Sequence, residues 1–186
     1  AINNESLFFL NTYGSIYSTD HRGNVRWFFN VNRASTLKSN LFNSNPIIIH
    51  KDKIIISTEP NLFVMSAKNG SLINKIAINS IVQPIISDNN LFLITEKNLL
   101  VCIDLNSGNI VFSLDINSQI ANFLQTKKKS VEIRKLFFSN NKLFLLLKNS
   151  YLVKILPKGN IIEINKLPSK INSLPIFING SILYLN

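Results

Sequence analysis

Ten carboxylates, two histidines and one cysteine are all that this 186-residue chain offers for acid–base, nucleophilic or metal chemistry. Asp20, Asp104, Asp115, Glu132 and Glu163 are scattered along it. Paired acid–base work needs two carboxyl groups at a fixed separation, and this scatter reads as turn and surface residues. His21 follows Asp20 with Ser15 and Ser18 nearby, but a Ser-His-Asp triad is defined by geometry, not by nearness in sequence. His21 reads as an exposed turn residue, and His50, which ends a strand beside Lys51 and Asp52, is read in the same way. Cys102 lies between Val101 and Ile103, where a free thiol packs as a small hydrophobe. A lone cysteine excludes an internal disulfide framework and a four-cysteine zinc site. No catalytic residue, metal site or cofactor is expected.

The chemistry that stands out is basic. The formal charge is +10, and residues 121–186 hold eleven basic and two acidic side chains. Within Asn117–Val131 (NSQIANFLQTKKKSV), Phe123 and Leu124 precede Lys127, Lys128 and Lys129, and Arg134 and Lys135 follow. Apolar residues beside a basic cluster suit an acidic protein surface or a lipid headgroup layer. Phe123, Lys127, Lys128, Lys129 and Arg134 are the candidate partner-binding residues; the alternative is a solvated loop. Nucleic acid is not expected, because no aromatic platform with interleaved basic residues recurs.

The elements that must carry these residues are bounded by composition. Hydrophobic residues make up 46% and charged residues 16%, with mean hydropathy +0.17, which excludes a disordered chain. Six Gly and six Pro exclude collagen-like or Pro-rich repeats. No apolar run approaches the roughly 18–20 residues of a membrane-spanning helix. Ala1-Ile2-Asn3-Asn4-Glu5 leads into a strand-like segment without the pattern of a secretory signal. Asn and Ile number 28 each and Lys outnumbers Arg 16 to 4, a codon-level bias that lowers the weight of any single such residue.

A repeat organises the chain. Glu5–Asn24 lies over Asp52–Ser71 without a gap, Asn90–Gly108 over Asp52–Gly70, and Lys142–Gly159 repeats the pattern with one residue lost. The leads Asn45–Ile49, Gln83–Ile86, Arg134–Phe138 and Leu174–Ile178 precede further copies. Each unit reads as four short strands. In the third these are Pro84–Ser87, Leu91–Thr95, Leu99–Leu105 and Ile110–Ile116, bounded by Asn/Asp/Gly clusters. Gly23, Gly70, Gly108 and Gly159 punctuate the hairpins. Runs such as Leu143–Leu147 are apolar throughout, as expected of strands buried on both faces. No 3.6-residue apolar period extends over ten residues, so no helix is expected. Four strands per repeat of about 40 residues is the arithmetic of a β-propeller blade.

Gly14–Trp27 (GSIYSTDHRGNVRW) resembles the PQQ-like, quinoprotein-type propeller repeat: a small residue, an alternating strand, Asp, two residues, Gly, then Trp four after the Gly. The resemblance implies that Trp27 docks one blade on the next, with Gly23, Gly70, Gly108 and Gly159 at the docking turns. Asn74, Phe112 and Glu163 replace Trp at the equivalent positions. Asp104 matches Asp20, whereas Ala67 and Leu156 do not.

The expected fold is all-β: one partial propeller domain over 1–186, of about seventeen strands and about four blades, with repeat units near 5–32, 45–80, 83–117, 132–167 and 174–186. It is expected to be part of a seven- or eight-bladed ring. The alternative is a small closed ring in which Pro175–Ile178 completes the first blade. Among relatives the resemblance is greatest to BamB-type outer-membrane assembly lipoproteins. It implies a non-catalytic scaffold for protein partners of the outer-membrane assembly machinery, on the periplasmic side of a Gram-negative envelope, meeting the membrane only through a lipid anchor outside this chain. The alternatives are a fragment of a PQQ-dependent dehydrogenase and a small propeller binding sugar or peptide in its channel. The dehydrogenases would imply a calcium-bound quinone between a Trp platform and a vicinal disulfide, which one cysteine excludes.

Overall fold

A computed structural model describes residues 1–32, 45–168, 176–178 and 181–184. Leu174, Pro175 and Leu185, which the sequence places in the last repeat, lie outside the described residues. The described chain forms seventeen strands and one helix. Sheet one contains β1 (Leu7–Leu10), β2 (Ser15–Thr19) and β3 (Val25–Asn30). Sheet two contains β4 (Ile48–His50), β5 (Lys53–Ser57), β6 (Leu62–Ser66) and β7 (Leu72–Ile76). Sheet three contains β8 (Ile85–Ser87), β9 (Asn90–Ile94), β10 (Leu99–Asp104) and β11 (Ile110–Asp115). After helix α1 (Ile116–Leu124) come β12 (Ile133–Ser139), β13 (Lys142–Leu147), β14 (Tyr151–Ile155) and β15 (Ile161–Lys166) of sheet four. A final pair joins β16 (Ile176–Ile178) and β17 (Ser181–Leu183).

Strands that follow one another in the chain lie side by side in every sheet. The reason is local: short apolar runs alternate with tight turns, and antiparallel neighbours need only a short hairpin. A glycine-closed turn recurs four times, in two lengths: the glycine amide reaches back three residues at Gly23 and Gly159 and four at Gly70 and Gly108. The amides of Gly23, Gly70, Gly108 and Gly159 donate to the carbonyls of Asp20, Ser66, Asp104 and Leu156, at 3.1, 2.9, 2.7 and 2.7 Å. A register shift next to this turn breaks three of the hairpins, at Ser18/Thr19, Val64/Met65 and Lys154/Ile155. Each shift is a β-bulge that adds local twist.

Burial follows position in the sheet. The middle strands β5, β6, β9 and β10 are buried on both faces, and the outer strands β7 and β11 are largely open. Phe63 and Phe92 are the largest fully buried side chains. Burying a side chain of that size contributes about 1.5–3 kcal/mol.

The chain divides into two compact units: Ala1–Glu96 with Val101–Ser113, and Lys97–Leu100 with Leu114–Asn186. In the first, Phe8, Ile16, Ile54, Ile56, Phe63 and Met65 form one cluster, with Trp27 packed against it. In the second, α1 is the departure from expectation. Its apolar residues Ile116, Ile120 and Leu124 recur every fourth position. The helix is nine residues long, too short to show in a ten-residue window. Ile116 opens the helix and does not end the preceding strand, because Asp115 caps the helix: its carboxylate accepts from Ser118 N at 3.1 Å and Ser118 Oγ at 2.9 Å. Capping of this kind satisfies donors that the first helical turn leaves open.

Candidate functional site

The carboxylates singled out by sequence serve turns and ion pairs. Asp20 accepts from the backbone amides of Arg22 and Asn24, both at 2.9 Å, and from Asn24 Nδ2 at 2.8 Å. Asp104 accepts from Asn106 N at 3.0 Å and from Ser107 Oγ at 2.8 Å. Hydrogen bonding, led by the Asn24 side chain in one case and the Asn106 amide in the other, holds both carboxyls below the usual range. Glu163 accepts from Lys154 Nζ at 2.8 Å, and its pKa is lowered chiefly by that bond. Glu132 pairs with Lys148 at 2.7 Å. His21 is exposed, its Nε2 3.1 Å from Asn4 O. Ser18 is fully buried, and its Oγ has no partner among the described residues. The same holds for the half-buried His50 at Nε2. Burial, with the Asp104 charge adding to it, pushes the Cys102 thiol up to about 11. Among the described residues no group of three or more His, Cys, Asp and Glu side chains is placed to hold a metal ion.

Of the docking residues, Trp27, Gly23, Gly70 and Gly108 fall in the first unit and Gly159 in the second. Trp27, half-buried on β3, donates from Nε1 to Ala67 O at 3.1 Å, and its ring lies 5.9 Å from that of Phe8. Its indole covers Gly70, where a Cβ would stand 2.7 Å from Cδ2 and closer still to Cε3. At Gly108 a Cβ would stand 2.6 Å from Asn74 Nδ2. Asn74 therefore occupies on its own neighbour the seat that Trp27 occupies at Gly70. Gly70 and Gly108 have φ of 71° and 75°, a region where a side chain is strained even with space to spare. At Gly23 (φ 91°) no heavy atom of the described residues lies within 4 Å of the would-be Cβ, so among them its observed part is in its own turn. Gly159 (φ 102°) closes the equivalent turn of sheet four. With Trp27 engaged at Gly70 and Asp20 and Asp104 tied to turns, these residues do not fit a calcium-bound quinone.

The second unit contains a groove of about 540 Å³. Ile120, Ala121 and Leu124 from α1 form part of its wall, with Val131 after the helix and Leu147, Tyr151 and Ile164 from sheet four. Lys127 and Lys129 line it as well, together with Asn117, Thr126, Ser130, Glu132 and Asn149. The segment 125–131 is held at both ends. Gln125, in the left-handed region, closes α1 by donating its amide to the carbonyls of Ala121 and Asn122. Asn98 Nδ2 donates to Val131 O at 2.7 Å and to Asn117 Oδ1 at 3.2 Å, while Val131 N donates to Asn117 Oδ1 at 3.0 Å.

The candidate partner-binding residues separate here. Lys128 turns back to Asp115, Nζ to Oδ2 at 2.5 Å. That bond, first among the causes, holds the Asp115 carboxyl at about 2. Lys127 and Lys129 face the groove and have no ion-pair partner among the described residues. Phe123 is 44% exposed on α1 but does not line the groove; Leu124 does. Arg134 sits in β12 where the register shifts between Ile133 and Lys135, and it does not line the groove either. Ile120, Leu147, Tyr151 and Ile164 were not readable as site residues, because only the fold of α1 over sheet four makes a wall of them. The one local signal was the Ile116, Ile120, Leu124 spacing.

Repeated antiparallel sheets of up to four strands, each with a glycine turn between its last two long strands, define the blades of a β-propeller, here a partial one. The family model for the outer membrane protein assembly factor BamB matches residues 1–114. The chain belongs to that PQQ-like repeat family. The crystal structure of BamB from Moraxella catarrhalis is similar with a TM-score of 0.69 at 14% identity, over 96% of this chain and 51% of that one. A computationally designed protein, Ika8, is similar with a TM-score of 0.70 at 10% identity, over 99% and 53%. The chain thus spans about half the length of each solved structure, and at such identities the likeness concerns the fold. No curated protein matches in sequence. Among the described residues no helix is long and apolar enough to cross a membrane.

Proposed function

We propose that this chain is a non-catalytic protein–protein interaction scaffold that acts as a BamB-type factor in the assembly of outer-membrane β-barrel proteins. Its place is the periplasmic side of a Gram-negative envelope. The observation that carries this reading is the family match over residues 1–114. The groove beside α1 supports it by offering an apolar, basic-edged concavity of a size that takes a few side chains of a partner.

The test is complementation. The full protein is expressed in a Gram-negative strain lacking its own BamB, and the outer-membrane levels of β-barrel proteins are measured. Restored levels, with the protein found in the periplasmic or outer-membrane fraction, are expected. Correctly exported protein that restores nothing would sink the assembly role. A change in visible absorbance on adding the quinone would favour the dehydrogenase alternative instead.

A further inference from the structure

We infer that the groove between α1 and sheet four binds an acidic peptide segment of a partner protein, anchored by an apolar side chain. The inference rests on the scaffold reading and names the chemistry of the partner at this one site.

Three observations converge on it. First, the wall is apolar where it is deepest: Ile120 and Ala121 are nine-tenths buried or more, as is Leu147. A mostly apolar concavity with a few placed polar groups is the usual form of a ligand site. Second, the charge left at the groove is positive. Of the two acidic residues after position 120, Glu132 is paired with Lys148 and Glu163 with Lys154. Lys128 is spent on Asp115, which leaves Lys127 and Lys129 unpaired among the described residues. Two ammonium groups beside an apolar wall complement a carboxylate-flanked apolar anchor, and such complementarity selects the partner and speeds its encounter. Third, the segment bearing the lysines is already held. The Asn98–Asn117–Val131 bonds pin its far end and the Asp115–Lys128 pair pins its middle. A partner that meets an ordered surface has less ordering entropy to offset.

The experiment uses the full protein and short fluorescein-labelled peptides read by fluorescence anisotropy. One peptide carries Leu and Phe flanked by Asp and Glu. A second replaces the acids with Lys, and a third replaces Leu and Phe with Ser. The first is expected to bind, and the other two to bind at least about tenfold more weakly. Lys127→Glu combined with Lys129→Glu is expected to weaken the first peptide by about tenfold or more. Lys68→Glu with Lys158→Glu, an equal charge change at exposed lysines that do not line the groove, is expected to leave it within about twofold. Both pairs lie on the surface and are read alongside circular dichroism to confirm folding.

Equal binding of the acidic and basic peptides, an unaffected groove variant, or association only with phosphatidylglycerol vesicles would each overturn the inference. Complementation is scored in parallel. Peptide binding without complementation removes the assembly role and leaves the groove; complementation by wild-type protein that binds none of the three peptides removes the groove and leaves the role.

Discussion

Asn98 and Val131 are 33 residues apart in sequence, and the side-chain amide of one donates to the backbone carbonyl of the other at 2.7 Å. Asn98 is only 6% exposed and has φ of 56°, a conformation that asparagine tolerates better than most residues. It therefore supplies both a backbone corner and a clasp. Asn98→Gly keeps the corner and removes the clasp. Losing buried hydrogen bonds of this kind costs about 1–3 kcal/mol. The expected result is a loss of that size in urea unfolding, with faster hydrogen exchange at the Val131 amide. Unchanged exchange there would show that the segment is held by other means.

Asp115 gives the pH dependence. Its carboxyl sits at about 2, lowered from 3.8 by Lys128 first and by the Ser118 donors of the helix cap. A folded-state value below the unfolded one stabilises the protein above the unfolded value and is lost as pH falls through the folded value. The stability difference between wild type and Asp115→Asn should be full at pH about 6 and shrink to nothing between pH about 4 and about 2. Denaturant midpoints at several pH values measure it. A difference that persists below pH about 2 would contradict the assignment.

Gly70→Ala tests the docking seat. The new methyl meets the Trp27 indole, and φ of 71° is strained for alanine. The expected cost is above about 1 kcal/mol. The emission of Trp27, the one tryptophan in the chain, should shift as its ring is displaced. Gly23→Ala, with open space around its Cβ, bears backbone strain alone and should cost less and leave the emission unchanged.

Phe92→Ala and Val111→Ser separate middle from outer strands. Phe92 is 1% exposed and Val111 59%. The first should cost about 3–5 kcal/mol and the second within about 0.5 kcal/mol, read as midpoints of chemical unfolding. Equal costs would contradict the burial gradient across sheet three.

The strands were readable because their signals are local. In the third repeat the boundaries expected from turn residues fall within one residue of those observed. The glycine turns were readable for the same reason. Helix α1 was not, since nine residues give only about two and a half turns of periodicity and its capping Asp115 also ends a strand. The groove was legible only in its lysines. Which of three consecutive lysines faces it depends on the Asp115–Lys128 bond, and that bond depends on a helix turning the chain back. Asn74 taught the converse. Its mismatch with Trp27 reads as a lost docking signature, yet its amide rests against Gly108 as the indole rests against Gly70. The seat depends on backbone geometry at the glycine, which no comparison of the knobs reveals.

That seat bears on how such arrays diverge. An indole and a carboxamide differ widely in volume and polarity, and the same left-handed turn accepts either because it presents bare backbone. A substitution at the knob leaves the receiving repeat intact, whereas one at the glycine changes both its own turn and its neighbour's contact. Repeats joined in this way can drift apart in sequence on their exposed and docking strands while the spacing between them stays fixed, and the glycines are the points at which that drift is checked.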